Sequence, residues 1–393
     1  MDSSAVNVNV TVDDFDSVLS YAVQSDWETP DPSSPSFNAS ATPWWMGTFH
    51  KTDVVGAVVT FNFTGPSILI YGHSGPSYGS FEVQIDSTSI VATLSAYAAS
   101  NASTPYLLFG ASNLTYATHT FALRNLGKKG SDAGGNTLLF DYLQTTVQVA
   151  PAGATVSNTT FEEDNPALQY SGKWDSNKSP NFSGGGTSYT NQDKAAVSLS
   201  FHGSAVYVFG DKKNDHGLYS VVLDNRTAEI YSGISGCGGA YGQTCEQQKP
   251  TLEYFASNLD ESLHTLRIEN VAGVNNSFFG KCYLDSIVVT VPSVYAPRQL
   301  EGPSSGSSSN TSSLVPSPSS TGTVKDNSGS TLPISNSLLL ITLFLVLFLR
   351  SSVFRMNTPS SSCVVYTNWD DAFESSPRGG TSAPPYASCI MHH

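Results

Sequence analysis

The side chains best suited to acid–base chemistry are two clusters of carboxylates, one in each half of the chain. The clusters consist of Asp13, Asp14 and Asp16, and of Glu162, Glu163 and Asp164. Paired carboxylates are the groups with which glycoside hydrolases cleave their substrates. Both clusters stand at the start of a repeated unit, and duplication at a strand edge favours a structural role. We therefore do not predict catalysis from them.

Other motifs of catalysis are missing from the sequence. The GHSG segment at 72–75 lacks the spacing of a G-x-S-x-G nucleophile. The sequence contains no HExxH, phosphate loop or dinucleotide fingerprint. The formal net charge is −14 and basic runs are absent, so nucleic acid is not an expected partner. From these observations we predict that the protein is not an enzyme.

Aromatic residues in loops are the candidates for ligand binding. Trp44 and Trp45 lie in ATPWWMG, a Pro-flanked loop that has no counterpart in the second half. Exposed rings on such loops stack on the apolar faces of sugars. Further candidates from loops are Tyr78, Tyr97 and Tyr241. The alternative for the tryptophan pair is burial beneath the loop.

The segments that position these residues belong to a repeat. FTGPSILIYGHSGPSYGSFEVQID at 63–86 matches FHGSAVYVFGDKKNDHGLYSVVLD at 201–224, with glycines in register at a constant offset of 138 residues. A period of about 140 residues indicates tandem globular domains. Short runs of alternating apolar residues between turn residues predict an all-β protein, with each repeat folded as a jelly-roll β-sandwich.

The order of segments predicts a cell-surface protein. We assign 1–150 and 151–295 to two jelly-roll domains, 296–332 to a disordered Ser/Pro/Thr-rich stalk, 333–354 to a transmembrane helix and 355–393 to a disordered cytoplasmic tail. Arg350 and Arg355 follow the apolar run, which places the tail in the cytoplasm and the first domains outside the plasma membrane. A glycolipid anchor is the alternative. The polar start of the chain is not a signal peptide, which favours a true N-terminus further upstream.

Cysteine and asparagine usage agrees with a secreted location. Cys237 and Cys245 flank the loop CGGAYGQTC and are expected to form a disulfide, while the partner of Cys282 stays open. Eleven Asn-x-Ser/Thr sequons predict N-glycosylation. They lie at Asn9, Asn38, Asn62, Asn101, Asn113, Asn158, Asn177, Asn181, Asn225, Asn275 and Asn310.

Several segments carry a family resemblance. They are VDDFDSVLSYAVQSDW at 12–27, GTFHKTDVVGAVVTFNFTGPSILIYG at 47–72, FEEDNPALQYSGKW at 161–174 and GTSYTNQDKAAVSLSFHGSAVYVFG at 186–210, in which Tyr189 replaces His50. Both repeats resemble the galactose-binding-like jelly-roll domains that occur in tandem in surface proteins of mushroom-type fungi. The resemblance spans about residues 6–292. It implies the fold, and by analogy with carbohydrate-binding modules it favours glycan binding.

The resemblance also implies a metal site. Many jelly-roll modules hold a structural Ca²⁺ between carboxylates of the first strand and an Asp of the last strand. Here the ligands would be Asp13, Asp14 and Asp141, or Glu162, Glu163 and Asp285. The alternative is that these acids cap turns or face solvent. No other cofactor is expected.

Together these observations predict a membrane-anchored, non-enzymatic surface protein with two binding modules for glycans or cell-surface proteins. The first alternative is a surface glycoside hydrolase or an accessory carbohydrate-binding module. A structural wall or adhesion protein is the second alternative.

Overall fold

The structure, a computed structural model, describes residues 2–87, 90–130, 133–235, 247–272, 282–300 and 313–315. These residues form antiparallel strands joined by turns and by four short 3₁₀ turns. The prediction of an all-β protein is confirmed, and the pairing of sheets is consistent with a β-sandwich.

The first repeat forms two sheets from its ten strands. The strands are β1 (Val6–Asp13), β2 (Ser20–Tyr21), β3 (His50–Thr52), β4 (Val58–Thr64), β5 (Ile68–Gly72), β6 (Ser80–Ile85), β7 (Ile90–Ser95), β8 (Tyr106–Ser112), β9 (Thr118–Gly127) and β10 (Leu138–Ala150). One sheet has the order β2-β4-β9-β6-β7. The other has the order β1-β10-β5-β8, with β3 also paired to β10 and a short strand at Ser313–Val315 paired to β8.

Alternation of apolar and polar residues explains why these segments form strands. In β4, Val59, Phe61 and Phe63 are buried while Asn62 between them is exposed. Because successive side chains of a strand point to opposite faces, this pattern gives the sheet one apolar face. That face packs against Ile68 of β5 in a single apolar cluster. Each large apolar side chain buried there contributes about 1.5–3 kcal/mol.

The second repeat has the same topology with different strand lengths. Its strands are β11 (Val156–Glu162), β12 (Gln169–Ser171), β13 (Asp175–Lys178), β14 (Gly186–Thr190), β15 (Ala196–Phe201), β16 (Ala205–Lys212), β17 (Leu218–Leu223), β18 (Glu229–Ser232), β19 (Gln247–Ser257), β20 (His264–Asn270), β21 (Cys282–Leu284) and β22 (Ser286–Pro292). The sheets β11-β22-β16-β19 and β12-β15-β20-β17-β18 repeat the two strand orders of the first half. A third sheet, β13-β14-β21, completes the repeat.

Strand register gives the correspondence between the repeats. Phe140 pairs with His50 in the first repeat, and the equivalent Leu284 pairs with Ser188 in the second. The residue in place of His50 is therefore Ser188, and the alignment of Tyr189 with His50 is wrong by one position. Sequence similarity could not fix this register, because it depends on pairing with a strand about 90 residues away in each repeat.

The two repeats pack directly on each other. Tyr207 and Leu252 of the second repeat belong to the apolar cluster of the first. The backbone N–H of Leu252 donates to Asp16 Oδ1 at 2.8 Å. Lys212, only 2% exposed, faces the carboxylates of Asp16 and Asp14, and its burial lowers its pKa to about 8 although these carboxylates raise it in part. The interface therefore holds buried charge as well as apolar surface.

Several predictions fall outside the described residues. They are the disulfide of Cys237 and Cys245, the ligand residue Tyr241, the sequons at Asn275 and Asn310, nearly all of the stalk, the hydrophobic segment and the tail. Across the described ranges, no helix has the length and hydrophobicity needed to cross a membrane. Cys282 is buried in the second apolar cluster and forms no disulfide with a described residue. The other nine sequon asparagines are exposed, and their glycosylation stays a prediction.

Candidate functional site

The acids predicted to bind calcium do not converge as two sets of three. Asp14 instead accepts a hydrogen bond from Thr48 Oγ1 at 2.7 Å, and its Oδ2 lies 2.6 Å from His50 Nδ1. In the second repeat, Glu163 lies 3.3 Å from Lys178 Nζ. The predicted role of Asp14 and Glu163 as metal ligands is therefore not supported by their contacts, since both carboxylates are engaged by other side chains.

One pair of carboxylates remains in each repeat, at equivalent positions. Asp13 and Asp141 form the first pair, and Glu162 and Asp285 form the second. Burial raises the pKa of Asp141 to about 8, with a further contribution from the charge of Asp14. Burial also raises the pKa of Asp285 to about 8, and the charge of Glu162 adds to the effect. Each pair therefore holds two carboxyl groups in a poorly solvated place, where their ionised forms are disfavoured unless a cation is present.

Orphaned oxygen atoms make these pairs a possible place for a hard cation. Asp13 Oδ1, Asp141 Oδ2, Glu162 Oε2 and Asp285 Oδ1 are all buried without a hydrogen-bond partner. Buried polar atoms without partners are costly, and oxygen-rich sites suit Ca²⁺. Across the described ranges, no group of three or more His, Cys, Asp or Glu side chains has the geometry of a metal site. The donor set thus fits a cation with two carboxylates, and any other ligands would have to come from backbone or solvent.

A tight turn beside the first pair begins at the second of the two adjacent tryptophans. The 3₁₀ turn Trp45–Gly47 contains Met46 at φ 53°, a left-handed conformation that costs a non-glycine residue about 1–2 kcal/mol. The backbone N–H of Trp45 donates to Asp141 Oδ1 at 3.0 Å and holds the turn in place. Trp44 and Trp45 consequently contact different neighbours. The sequence alone does not show which neighbours each ring contacts.

Trp45 lies on the outer face of the sheet that contains β10 and β5. Its ring centroid is 5.5 Å from that of Tyr142, and Tyr142 stacks on Tyr71 at 4.5 Å. Trp45 and Tyr71 are half-buried. These three rings form a row along the sheet.

Trp44 lies instead among the loops at one end of the first repeat. Its ring contacts Phe49 and His73 edge-on, with centroids at 5.1 and 5.5 Å. His73 in turn contacts Tyr78 at 5.2 Å. Thr104 Oγ1 lies 3.4 Å from His73 Nδ1. Two of the predicted ligand residues, Trp44 and Tyr78, are thus joined through a histidine.

Tyr97 reaches the same end of the repeat. It forms a β-bridge with Gly75, three residues before Tyr78. A Cβ on Gly134 would clash with the carbonyl oxygen of Tyr78 and would approach the ring of Tyr97 to 3.1 Å, so glycine allows this loop to close over both tyrosines. We call Trp44, His73, Tyr78 and Tyr97 the loop-end cluster.

The loop-end cluster combines stacking surface with hydrogen-bonding groups. Trp44, His73 and Tyr97 are half-buried, so their rings retain accessible surface. His73 Nε2 has no hydrogen-bond partner among the described residues and can donate to or accept from a ligand hydroxyl. Burial lowers the pKa of His73, which favours the neutral ring. Half-exposed rings beside a few polar atoms are the usual composition of a saccharide site.

Sequence reasoning found Trp44, Tyr78 and Tyr97 but missed His73. His73 lies in the GHSG segment, which was considered only as a nucleophile motif. Its position directly after the end of the buried strand β5, shortly before a Gly–Pro turn, was the signal that could have placed it at a loop end.

The second repeat has different chemistry at the same positions. At the offset of 138 residues, Asp211 replaces His73 and His216 replaces Tyr78. His216 Nε2 lies 2.8 Å from Asp211 Oδ1, and its ring stacks on Tyr283 at 4.1 Å. Lys213 Nζ lies 3.0 Å from Asp211 Oδ2. A buried charged network therefore occupies the place that the loop-end cluster has in the first repeat.

This network predicts a pH dependence of stability. Burial alone would lower the pKa of His216, but the carboxylates of Asp211 and Asp215 outweigh it and raise the pKa above its ordinary value. A histidine with a raised folded-state pKa stabilises the fold below about pH 6.5, and this contribution is lost as the pH rises through the raised pKa. We expect urea unfolding to give a higher free energy of unfolding for the wild type than for His216→Gln, and this difference should shrink as the pH is raised. A difference that stays constant or grows with pH would contradict stabilisation by the protonated form of His216.

Two further histidines have a structural explanation. His119 Nδ1 lies 2.9 Å from Asp86 Oδ2, and His264 Nδ1 lies 2.7 Å from Asp224 Oδ2. Asp86 and Asp224 both have left-handed φ angles, of 55° and 53°. Each histidine thus braces a strained turn in the same way, which explains its duplication.

Comparison with known proteins places the chain near carbohydrate-active proteins. No family model matches the chain. An A type blood alpha-D-galactosamine galactosaminidase from Flavonifractor plautii is 27% identical over 266 residues, covering 67% of this chain and 21% of that protein. The chain therefore spans about a fifth of the length of this curated relative. The match contradicts our prediction that the protein is not an enzyme, because the relative is a glycosidase.

Solved structures show weak likeness to the chain. A xanthan lyase from Paenibacillus has 13% sequence identity and a TM-score of 0.24. The match covers 71% of this chain and 25% of the lyase chain. A family 35 carbohydrate-binding module from Clostridium thermocellum has 13% sequence identity and a TM-score of 0.25. The match covers 33% of this chain and 98% of the module. The ANXUR2 extracellular domain from Arabidopsis thaliana has 8% sequence identity and a TM-score of 0.24. The match covers 75% of this chain and 100% of that domain.

Proposed function

We propose that this chain is a carbohydrate-active protein whose first repeat binds saccharides at the loop-end cluster. The observation that carries the proposal is that three loops meet at one end of the first repeat, and they carry Trp44, His73 with Tyr78, and Tyr97. Rings supply stacking surface and His73 supplies a hydrogen-bonding nitrogen. A rigid sandwich beneath the loops limits the conformational entropy that binding would cost.

The relative supports a ligand class for the first test. That protein is a galactosaminidase acting on A type blood alpha-D-galactosamine, so terminal α-linked galactosamine is the first ligand to test on this chain. The first repeat would serve as an accessory carbohydrate-binding module of a glycan-processing protein.

A second candidate function is glycoside hydrolysis. It is favoured by the same match to a glycosidase, over two thirds of this chain. One experiment separates the two candidates: the full chain is incubated with an array of glycans, and both bound protein and released monosaccharide are measured. Binding of galactosamine-terminated glycans supports the first candidate, and release of the sugar supports the second. Neither binding nor release on any glycan would refute both.

We further propose that the repeats are galactose-binding-like jelly rolls displayed outside the plasma membrane. The nine exposed sequon asparagines support passage through the secretory pathway. Protease applied to intact cells should remove the repeats and leave a C-terminal tag uncut. Loss of the tag without protease would favour the glycolipid anchor.

We also propose a structural calcium ion at each carboxylate pair. The pairs Asp13 with Asp141 and Glu162 with Asp285 carry orphaned buried oxygens, and a divalent cation would offset their mutual repulsion. Added Ca²⁺ is expected to raise the Tm, and chelation to lower it.

A matched pair of variants tests the calcium proposal without an activity assay. Asp141→Asn and Asp285→Asn should each remove part of the Ca²⁺-dependent rise in Tm, whereas Asp86→Asn, away from both pairs, should leave it unchanged. A wild-type Tm that does not respond to Ca²⁺ or to a chelator would refute the proposal.

A further inference from the structure

A polar cleft of about 450 Å³ lies at one end of the second repeat. Its walls include Asp224, Arg226, Asp260, Leu263 and Arg298. The volume is within the range of sites that hold a monosaccharide or a disaccharide. Leu263 is 60% exposed and offers an apolar surface at this cleft.

Both acids of the cleft are engaged by their own loops. Asp224 accepts from the backbone N–H of Thr265 at 2.9 Å, and its other oxygen lies 2.7 Å from His264 Nδ1. Asp260 accepts from the backbone N–H of Ser262 at 2.8 Å. These carboxylates therefore stabilise the turn that contains His264.

The two arginines of the cleft have no such partner. Neither Arg226 nor Arg298 lies within 4.0 Å of a carboxylate in the part of the chain that the structure describes. Arg298 is held by its backbone, which exchanges hydrogen bonds of 2.6 and 2.9 Å with the side chain of Asn258. Its guanidinium lies 5.0 Å from the ring centroid of Tyr116, and its Nη1 donates to Gln148 Oε1 at 3.5 Å, so the remaining planar N–H groups are left for a ligand.

The first repeat supplies an internal comparison. It has the same histidine–aspartate turn, made by His119 and Asp86, but Asp86 is followed by Ser87 and Thr88 where the second repeat has Asn225 and Arg226. The scaffold is thus shared, while the arginine is added in the second repeat alone. A structural requirement common to both turns does not explain it.

We propose that this cleft binds an anionic saccharide, with the carboxylate or sulfate of the sugar held by Arg226 and Arg298. Guanidinium groups match these anions through paired N–H donors. The ring of the sugar would lie against Leu263. The site is separate from the loop-end cluster and does not depend on its function.

Direct titration of the full chain tests the proposal. The Asn225→Gln background is used so that a glycan at that sequon cannot cover the cleft. The probes are methyl glucuronide, galactose 6-sulfate and methyl glucoside. We expect at least one of the two anionic sugars to bind at least tenfold more tightly than methyl glucoside, and their comparison distinguishes carboxylate from sulfate. Equal affinity for all three probes would overturn the proposal.

Variants assign the binding to the cleft. Arg226→Gln, at an exposed side chain, should weaken anionic binding about tenfold with an unchanged Tm, and Arg298→Gln should weaken it further. Arg124→Gln is the matched control, because Arg124 lies in the first repeat beside Glu82, and Trp44→Ala controls for the loop-end cluster. Anionic binding that is unchanged in both cleft variants, or lost in either control, would overturn the assignment.

Discussion

Replacing Asp14 with alanine is expected to lower the free energy of unfolding by about 3–5 kcal/mol. Asp14 is fully buried, accepts a hydrogen bond from Thr48 Oγ1, and is hydrogen-bonded through Oδ2 to His50 Nδ1. Each buried donor left without an acceptor costs about 1–3 kcal/mol, and the truncation adds a small cavity. Urea unfolding at neutral pH measures the loss. Asp14→Asn keeps one acceptor oxygen, so its free energy of unfolding should lie between those of the wild type and of Asp14→Ala.

The second repeat contains the matched control. Glu163 occupies the position equivalent to Asp14, and the parallel is close: Tyr21 donates to the backbone oxygen of Asp14, as Tyr170 does to that of Glu163. The side chain of Glu163 is buried, at 5% exposure, but its ion-pair partner among the described residues is the ammonium of Lys178, whose side chain is 69% exposed. Water can solvate the exposed Lys178 ammonium when its partner is removed, so Glu163→Ala should cost less than Asp14→Ala, which leaves buried polar groups without a partner. Equal losses at the two positions would show that the contacts of Asp14 are not the source of its effect.

The chemistry around Asp14 could not have been read from the sequence. His50 stacks on Tyr21 at 4.2 Å, and its burial, together with the charge of Lys212, lowers its pKa and keeps the ring neutral. Lys212 comes from the other repeat, about 160 residues further along the chain. Local sequence showed that acids cluster at the start of each repeat. Which acid keeps a buried oxygen without a partner and which lies beside a histidine is decided by tertiary packing.

Repetition made the fold easier to predict than the site. Glycines in register and alternating strands depend on local sequence, and both repeats confirm them. Functional chemistry instead follows from differences between the repeats, such as Asp211 in place of His73. Those differences were visible in the sequence, but their meaning required the positions of the loops.

The aromatic loop was found from sequence, whereas its geometry was not. Adjacent residues in a strand face opposite ways, but here Trp44 is extended and Trp45 is the first residue of a 3₁₀ turn, whose left-handed residue, Met46, follows both tryptophans. That turn depends on a hydrogen bond to Asp141, almost a hundred residues away. Long-range contacts of this kind decide which of the two rings belongs to the loop-end cluster.

Trp44→Ala is expected to weaken saccharide binding by about 5- to 150-fold, while Trp45→Ala leaves the affinity unchanged. Removing a stacking ring costs about 1–3 kcal/mol, by analogy with bases stacked on aromatic side chains, and 1.4 kcal/mol corresponds to tenfold. Trp44 contacts His73 in the cluster. Trp45 contacts Tyr142 on the sheet instead. Affinity for galactosamine-terminated glycans and Tm are measured on both variants.

The pair of variants is matched in residue type and in chain position, so nonspecific effects should be similar in both. Trp44 also packs on Phe49, and Trp44→Phe keeps part of that packing as a check on stability. Affinity lost in Trp44→Ala and largely kept in Trp44→Phe, with the Tm of the two variants similar, supports stacking by this ring. Affinity lost in Trp45→Ala alone would move the site to the row of Trp45, Tyr142 and Tyr71. A fall in Tm in both variants with no selective loss of affinity would refute a saccharide site at this loop.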